Sequence, residues 1–217
     1  MDVLPQAADA ARSDVAHPVR VHSDDCTLAL DSTQIDAGVW HHHLLETALT
    51  TTDPAADFPR GTALLLVDFQ DWIIERYVSV AGPAAAECAE NLHRTFRDRD
   101  RLVLHVRHQV QDAPPPTLGR RGDICEAVAV EADEWVTTKT TISAFGVPAL
   151  HDMLQRARIA TIVIAGVVTE AAVQQTAIDA LARGYQVVIP TECVASSTPA
   201  IKNEALETVA AAGVWIG

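Results

Sequence analysis

Three runs in this chain that read as strands each end on residues that could do chemistry. "TALLLV" (62–67) runs straight into Asp68, followed by Phe69, Gln70, Asp71 and Trp72. "EWVTT" stops at Lys139, in "KTTISAF". "ATIVIA" gives way to Gly166, Val167, Val168, Thr169 and Glu170, ahead of Ala171 and Ala172. A carboxylate placed directly after a fully apolar strand is half-buried, so its pKa is open to tuning for acid–base work. A lysine can hold a developing anion, and the N–H groups at a helix start can receive an oxyanion. A thiol on that helical turn would be acidified by the helix dipole, with the lysine steadying the thiolate and the carboxylate taking its proton. No thiol is there, because alanines occupy the turn. Singly, Asp68 reads as well as a helix N-cap and Lys139 as a solvated charge. Three such ends on one edge of one sheet are more specific than any of them alone.

The elements that must position these residues follow from the pattern. "TALLLV" is a continuous apolar run of strand length, as expected of a strand buried on both faces in a parallel sheet. A helix over 82–100 follows, then a strand "RLVLHV", and a long loop over 107–124 whose three prolines bar regular structure. "EWVTT" is the third strand. A helix near 147–158, the strand "ATIVIA", a helix over 170–183, the strand "QVVIP", a helix near 198–212 and a terminal strand "GVWI" complete the alternation. The pattern predicts an α/β fold, a three-layer α/β/α sandwich with a parallel, doubly wound sheet of about six strands, in which ligands sit beyond the carboxyl ends. Residues 1–58 read as a polar N-terminal extension with one short helix in "DAGVWHHHLLETALTT". "DPAADFPRG" punctuates the passage into the domain at 59–217.

Composition narrows the function classes. The formal charge of -13 repels phosphate backbones and anionic membrane surfaces, so neither nucleic acid nor membrane is expected as a partner. No apolar run approaches the ~20 residues of a membrane span and the N-terminus offers no secretory h-region, which makes the cytoplasm the expected location. Cys26, Cys88, Cys125 and Cys193 form no CxxC pair and are expected to be reduced thiols. Cys193, after "QVVIP", could be imagined as a displaced nucleophile, but reads more simply as a small buried filler.

The runs "LLLVDFQ", "VTTKTTISAF" and "GVVTEAAVQQTAIDALARGYQVVIPTE" together resemble the isochorismatase-like cysteine hydrolases, over roughly residues 60–217 and in that superfamily's order of motifs. The superfamily includes nicotinamidases, N-carbamoylsarcosine and ureidoacrylate amidohydrolases, and isochorismatases. The resemblance implies the isochorismatase-like hydrolase fold, with Asp68 as general base and acid and Lys139 as catalytic lysine. Ala172 stands where the nucleophilic cysteine of that family stands. It implies a cis peptide joining Val167 to Val168 and an oxyanion hole built from the N–H groups of Val168 and Ala172. Phe69, Gln70, Trp72, Phe145 and Thr169 are then the expected substrate-binding residues, with Arg107, Arg120 or Arg121 available to meet a carboxylate. Homo-oligomerisation is also implied.

Alanine cannot attack a carbonyl, so the acyl-enzyme route is closed in the chain as it stands. Three accounts remain open. A native cysteine could have been replaced at 172. The chain could do cysteine-independent chemistry, as isochorismatases do when they hydrolyse a vinyl ether by protonation. It could also be a non-catalytic binding protein. Cysteine-free members typically carry a small residue and a histidine where this chain has Thr169 and Glu170, which favours the first account. The expected substrate is a small amide, ureido or carbamoyl compound, with no cofactor. No metal is expected. Nicotinamidases of the superfamily hold one through an aspartate and histidines, but the Asp-x-His arrangement is absent here. His105 and His108, three apart on a strand, point to opposite faces, and His41, His42 and His43 spread around a helix.

Overall fold

The computed structural model describes residues 58–109 and 124–217; the helix expected within 36–51, its histidines, and Arg120 and Arg121 lie outside the described residues. Among the described residues the strands are β1 (Thr62–Val67), β2 (Val103–His108), β3 (Trp135–Lys139), β4 (Thr161–Val167), β5 (Gln186–Ile189), β6 (Val194–Ala195) and β7 (Trp215–Ile216). The helices are α1 (Asp71–Tyr77), α2 (Gly82–Asp98), α3 (Pro148–Arg156), α4 (Gln174–Ala182) and α5 (Pro199–Ala211). The sheet runs β3-β2-β1-β4-β5-β7 with β6 also paired to β4, and every pairing is parallel. Strand order reverses at β1, so the crevice of a doubly wound sheet opens at the carboxyl ends of β1 and β4.

β1 is apolar throughout because both of its faces are covered: all six residues are buried. Its alternation sorts them. Leu64 and Leu66 join Val103, Val163 and the α2 residues Ala85, Ala89 and Phe96 in one core layer. Ala63, Leu65 and Val67 join Leu104, Ile162 and Ile164 with Leu150 and Leu154 of α3, Ala177 and Ala180 of α4, and Val209 of α5 in the other. Gly166 lets β4 lie close against the end of β1. A Cβ there would lie 2.5 Å from the Val67 carbonyl oxygen and 2.8 Å from the Val67 Cβ.

Three details depart from the sequence reading. The segment Asp71–Tyr77 forms α1, which sequence reading left as an unassigned stretch before the longer helix; at seven residues it is too short to show clear periodicity. The helix expected over 170–183 begins as a π-turn over Thr169–Val173 and becomes α-helical only at Gln174. The strand after "QVVIP" resumes as β6, because Pro190 and a 3-10 turn over Thr191–Cys193 shift the chain sideways from β5 onto the upper end of β4.

Two thiols expected to be reduced are instead joined: Cys88 of α2 and Cys193 form a disulfide, with Cα atoms 5.0 Å apart and a sequence separation of 105. The sequence could not signal this, since only the tertiary packing of α2 against the turn after β5 brings the two together. It also removes Cys193 from any role as a nucleophile. Cys125 is a buried free thiol. Among the described residues, no helix is long and apolar enough to cross a membrane.

Candidate active site

Asp68 leaves β1 in a left-handed conformation (φ 57°), a region that aspartate tolerates better than most residues with a Cβ. Its N–H donates to the Val106 carbonyl at 2.8 Å and its own carbonyl accepts from Gln70 N–H at 2.7 Å, so the turn is fixed at both ends. Lys139 closes β3, in register with His108. Its side chain reaches over the end of β2, where Nζ donates to Asp68 Oδ2 at 2.7 Å and to the Thr141 carbonyl at 3.2 Å. The two side chains are 1% and 5% exposed, which makes this a buried ion pair rather than a surface one. Burial pushes the Asp68 carboxyl up to about 6, and the Lys139 ammonium beside it lowers it without cancelling the effect. The second oxygen, Oδ1, is buried and has no hydrogen-bond partner.

The loop after Lys139 is held from several sides. Thr141 Oγ1 donates to the Ser143 carbonyl, Ser143 Oγ accepts from Phe145 N–H, and Ala144 N–H donates to Thr176 Oγ1 on α4. α4 therefore carries a clamp for the lysine loop, and the π-turn that leads into it carries the alanine at 172, one turn earlier. Ala172 is buried within the π-turn. That turn is closed by Val173 N–H donating to the Val168 carbonyl at 3.4 Å, and the Val167–Val168 peptide leading into it is cis. π-turns inside helices are frequent at functional sites.

Among the described residues, four buried side-chain polar atoms lack a partner: Asp68 Oδ1, His108 Nδ1, Thr169 Oγ1 and Ser196 Oγ. All four lie at or within two residues of the carboxyl end of a strand, namely β1, β2, β4 and β6. Buried polar groups are nearly always satisfied, so unsatisfied ones gathered on a single sheet edge mark where a polar ligand would complete them. Burial and the Lys139 ammonium lower the His108 pKa, while a hydrogen bond to the Thr141 backbone raises it; the net shift is downward.

The other expected substrate-binding residues are distributed unevenly. The Gln70 side chain grips the His108 backbone, accepting from its N–H at 2.6 Å and donating to its carbonyl at 3.1 Å, so it stitches α1 to the end of β2. Trp72 is half-buried with its ring 6.4 Å from that of His108. Phe69 is in the α2 core layer, while Phe145 is in the opposite layer, stacked on Tyr185 and beneath the Arg183 guanidinium. Arg107 donates to Thr138 Oγ1 at 2.7 Å. Sequence reading missed Ser196, whose only signal is its place just past an apolar strand, and weighed His108 only as a metal ligand. The end of β2 offers Arg107 and His108 beside the Lys139 ammonium.

A second cluster lies away from this edge. His93 of α2 and His105 of β2 point their Nε2 atoms at the two carboxylate oxygens of Glu134, which immediately precedes β3; the His105 contact is 2.8 Å. Arg97 Nη1 donates to Oε1 at 2.9 Å and Glu131 N–H to Oε2 at 3.0 Å. Burial alone would raise the Glu134 carboxyl, but donors from His105, His93, the Glu131 backbone and Arg97 together hold it well below the usual carboxylate range.

Residues 62–217 match the family model described as the isochorismatase domain. The chain is 32% identical over 156 residues to a maleamate amidohydrolase from Pseudomonas putida, covering 63% of this chain and 73% of that protein. It is 30% identical over 165 residues to an Arabidopsis thaliana protein named a probable inactive nicotinamidase, covering 65% and 84% respectively. Among solved structures, an isochorismatase family protein from Burkholderia thailandensis superposes with a TM-score of 0.65 at 25% identity, over 73% of this chain and 92% of the other.

Proposed function

Because the chain belongs to the isochorismatase family, we propose that its site is that of a hydrolase for a small amide, ureido or carbamoyl compound, arrested at the step that needs a nucleophile. The observation carrying this reading is the buried Lys139–Asp68 pair at 2.7 Å, with Asp68 Oδ1 unpartnered, on the sheet edge that also holds the turn bearing Ala172. The named relatives that are hydrolases agree with it, the maleamate amidohydrolase most directly.

With cysteine at 172, each group has a task. Asp68 Oδ1 takes the thiol proton while the Lys139 ammonium steadies the thiolate. The thiolate adds to the substrate carbonyl, and the N–H groups of Val168 and Ala172 receive the oxyanion. Asp68, now protonated, gives its proton to the departing nitrogen; it then removes a proton from the water that releases the acyl group, regenerating the thiol. With alanine at 172 the bond to carbon cannot form, and only binding remains. The test is Ala172→Cys: the expected result is thiol-dependent release of ammonia from maleamate or a related small amide, lost again in Ala172→Cys/Asp68→Asn. A restored cysteine that stays inert across amide, ureido and carbamoyl compounds overturns the reading.

One observation favours a second reading. A carboxyl pushed up to about 6 is protonated in mildly acidic solution and can act as a general acid without any nucleophile, as protonation of a vinyl ether requires. On that reading the chain as it stands turns over isochorismate at a rate that falls as pH rises through about 6, and Asp68→Asn abolishes the reaction. Absence of turnover in the unaltered chain, with activity appearing only in Ala172→Cys, rejects it.

A further inference from the structure

We propose that His93, His105 and Glu134 form a zinc-class metal site, separate from the reaction edge, that ties α2 and β2 to the amino end of β3. Three elements distant in sequence deliver one donor each, and the donor atoms all lie within 4.8 Å of one another. Both histidines are buried, and the Glu134 side chain is 5% exposed, so none of the three is a solvated surface group that happens to lie near the others. The two imidazole rings meet edge to face with centroids 5.3 Å apart, which brings both Nε2 atoms to the same carboxylate from different directions. Two imidazoles and a carboxylate suit zinc and its neighbours in the first transition row, whereas calcium and magnesium ask for an all-oxygen shell. A tetrahedral ion would find its fourth position in a water or in the second carboxylate oxygen.

The surroundings suit a cation as well. Each Glu134 oxygen keeps a partner that does not depend on the histidines: Arg97 on Oε1 and the Glu131 N–H on Oε2. If both imidazoles turned their lone pairs to a metal, the carboxylate would still be oriented by two outer hydrogen bonds, the usual arrangement around a ligating carboxylate. Asp133, 3.5 Å from Arg97, offsets part of the added positive charge. Glu134 and Lys139 lie at opposite ends of β3, five residues and so roughly 17 Å apart along the strand. The site would therefore brace the fold and take no part in the chemistry proposed above. It is also built from residues other than the Asp-x-His pattern that sequence reading found missing.

The experiment uses the full chain, stripped with a chelator, exchanged into metal-free buffer and titrated with zinc chloride alone. The expected result is one tightly retained zinc per chain after dialysis. At a hundredfold excess over the dissociation constant, the thermal midpoint should rise by roughly 5 °C or more. Glu134→Gln and His93→Gln each remove the retained zinc, while a variant with alanine at positions 41, 42 and 43 keeps it. No retained zinc, or zinc that survives Glu134→Gln and disappears with the 41–43 variant, overturns the proposal and leaves the cluster as a hydrogen-bonded brace only. Should the site variants fail to fold, anomalous scattering at the zinc edge from crystals of the unaltered chain decides: a peak between the three side chains supports the site, and a peak elsewhere or none refutes it.

Discussion

Replacing Lys139 by methionine keeps most of the buried stem and deletes the ammonium, which isolates what that charge does for Asp68. In the intact protein the folded Asp68 titrates at about 6 against 3.8 when unperturbed. A group whose folded pKa is raised contributes stability that is fully present below its unfolded value and is lost as pH rises through its folded value. Without the lysine the only remaining influence of size is burial, so the folded pKa rises further. At pH 5 Asp68 is protonated in both proteins and the charge makes no difference between them. At pH 8 the intact protein holds Asp68 ionised, whereas the variant must keep it protonated or leave a bare carboxylate in the core. Two pH units above 6, at about 1.4 kcal/mol each, come to about 2.7 kcal/mol of extra destabilisation. That is just below the ~3–5 kcal/mol typical of stranding one partner of a buried pair. Urea unfolding followed by circular dichroism at pH 5 and pH 8 measures it. The reasoning fails if the difference between the two proteins is the same at both pH values or larger at pH 5.

Other outcomes follow from the same structure. Asp68→Asn should flatten the fall in stability expected of the unaltered chain as pH rises from 3.8, a fall that is nearly complete at about 6; an unchanged pH profile counts against a raised Asp68. Gly166→Ala drives a Cβ against the Val67 backbone, in the middle of two buried strands, and should lower stability by about 1–3 kcal/mol or more by thermal unfolding; a neutral effect would mean the strands can part. Thiol titration in denaturant should find two more thiols per chain with reductant than without. Cys88→Ser should cost up to about 5 kcal/mol, given a sequence separation of 105; equal titres before and after reduction would exclude the Cys88–Cys193 bond.

Much of this was legible in the sequence because parallel strands advertise themselves. Continuous apolar runs such as "TALLLV" can only be buried on both faces, and the residue after such a run is committed to the carboxyl edge. Asp68 was readable for that reason, and Lys139 as the last residue of a shorter, partly buried strand, although nothing local says that they touch; that needs the order β3-β2-β1, which leaves one strand between the lysine's strand and the strand it serves. The His93–Glu134–His105 cluster and the Cys88–Cys193 bond were illegible for the converse reason. Their members come from a helix, a mid-strand position and loops, so no spacing rule joins them. Strand alternation did separate His105 from His108, and the two serve different neighbourhoods.

Among the described residues β3, the strand that ends in Lys139, has a single neighbour in the sheet, β2. Side chains alternate along a strand, so a slip of one residue against β2 would turn the lysine to the opposite face and bring Thr138 or Thr140 to the place where the ammonium belongs. A substitution at an outer position such as the exposed Val136 could thus silence the site without touching any residue in it. Its signature would be an intact fold with an orphaned Asp68, a defect of alignment rather than of composition.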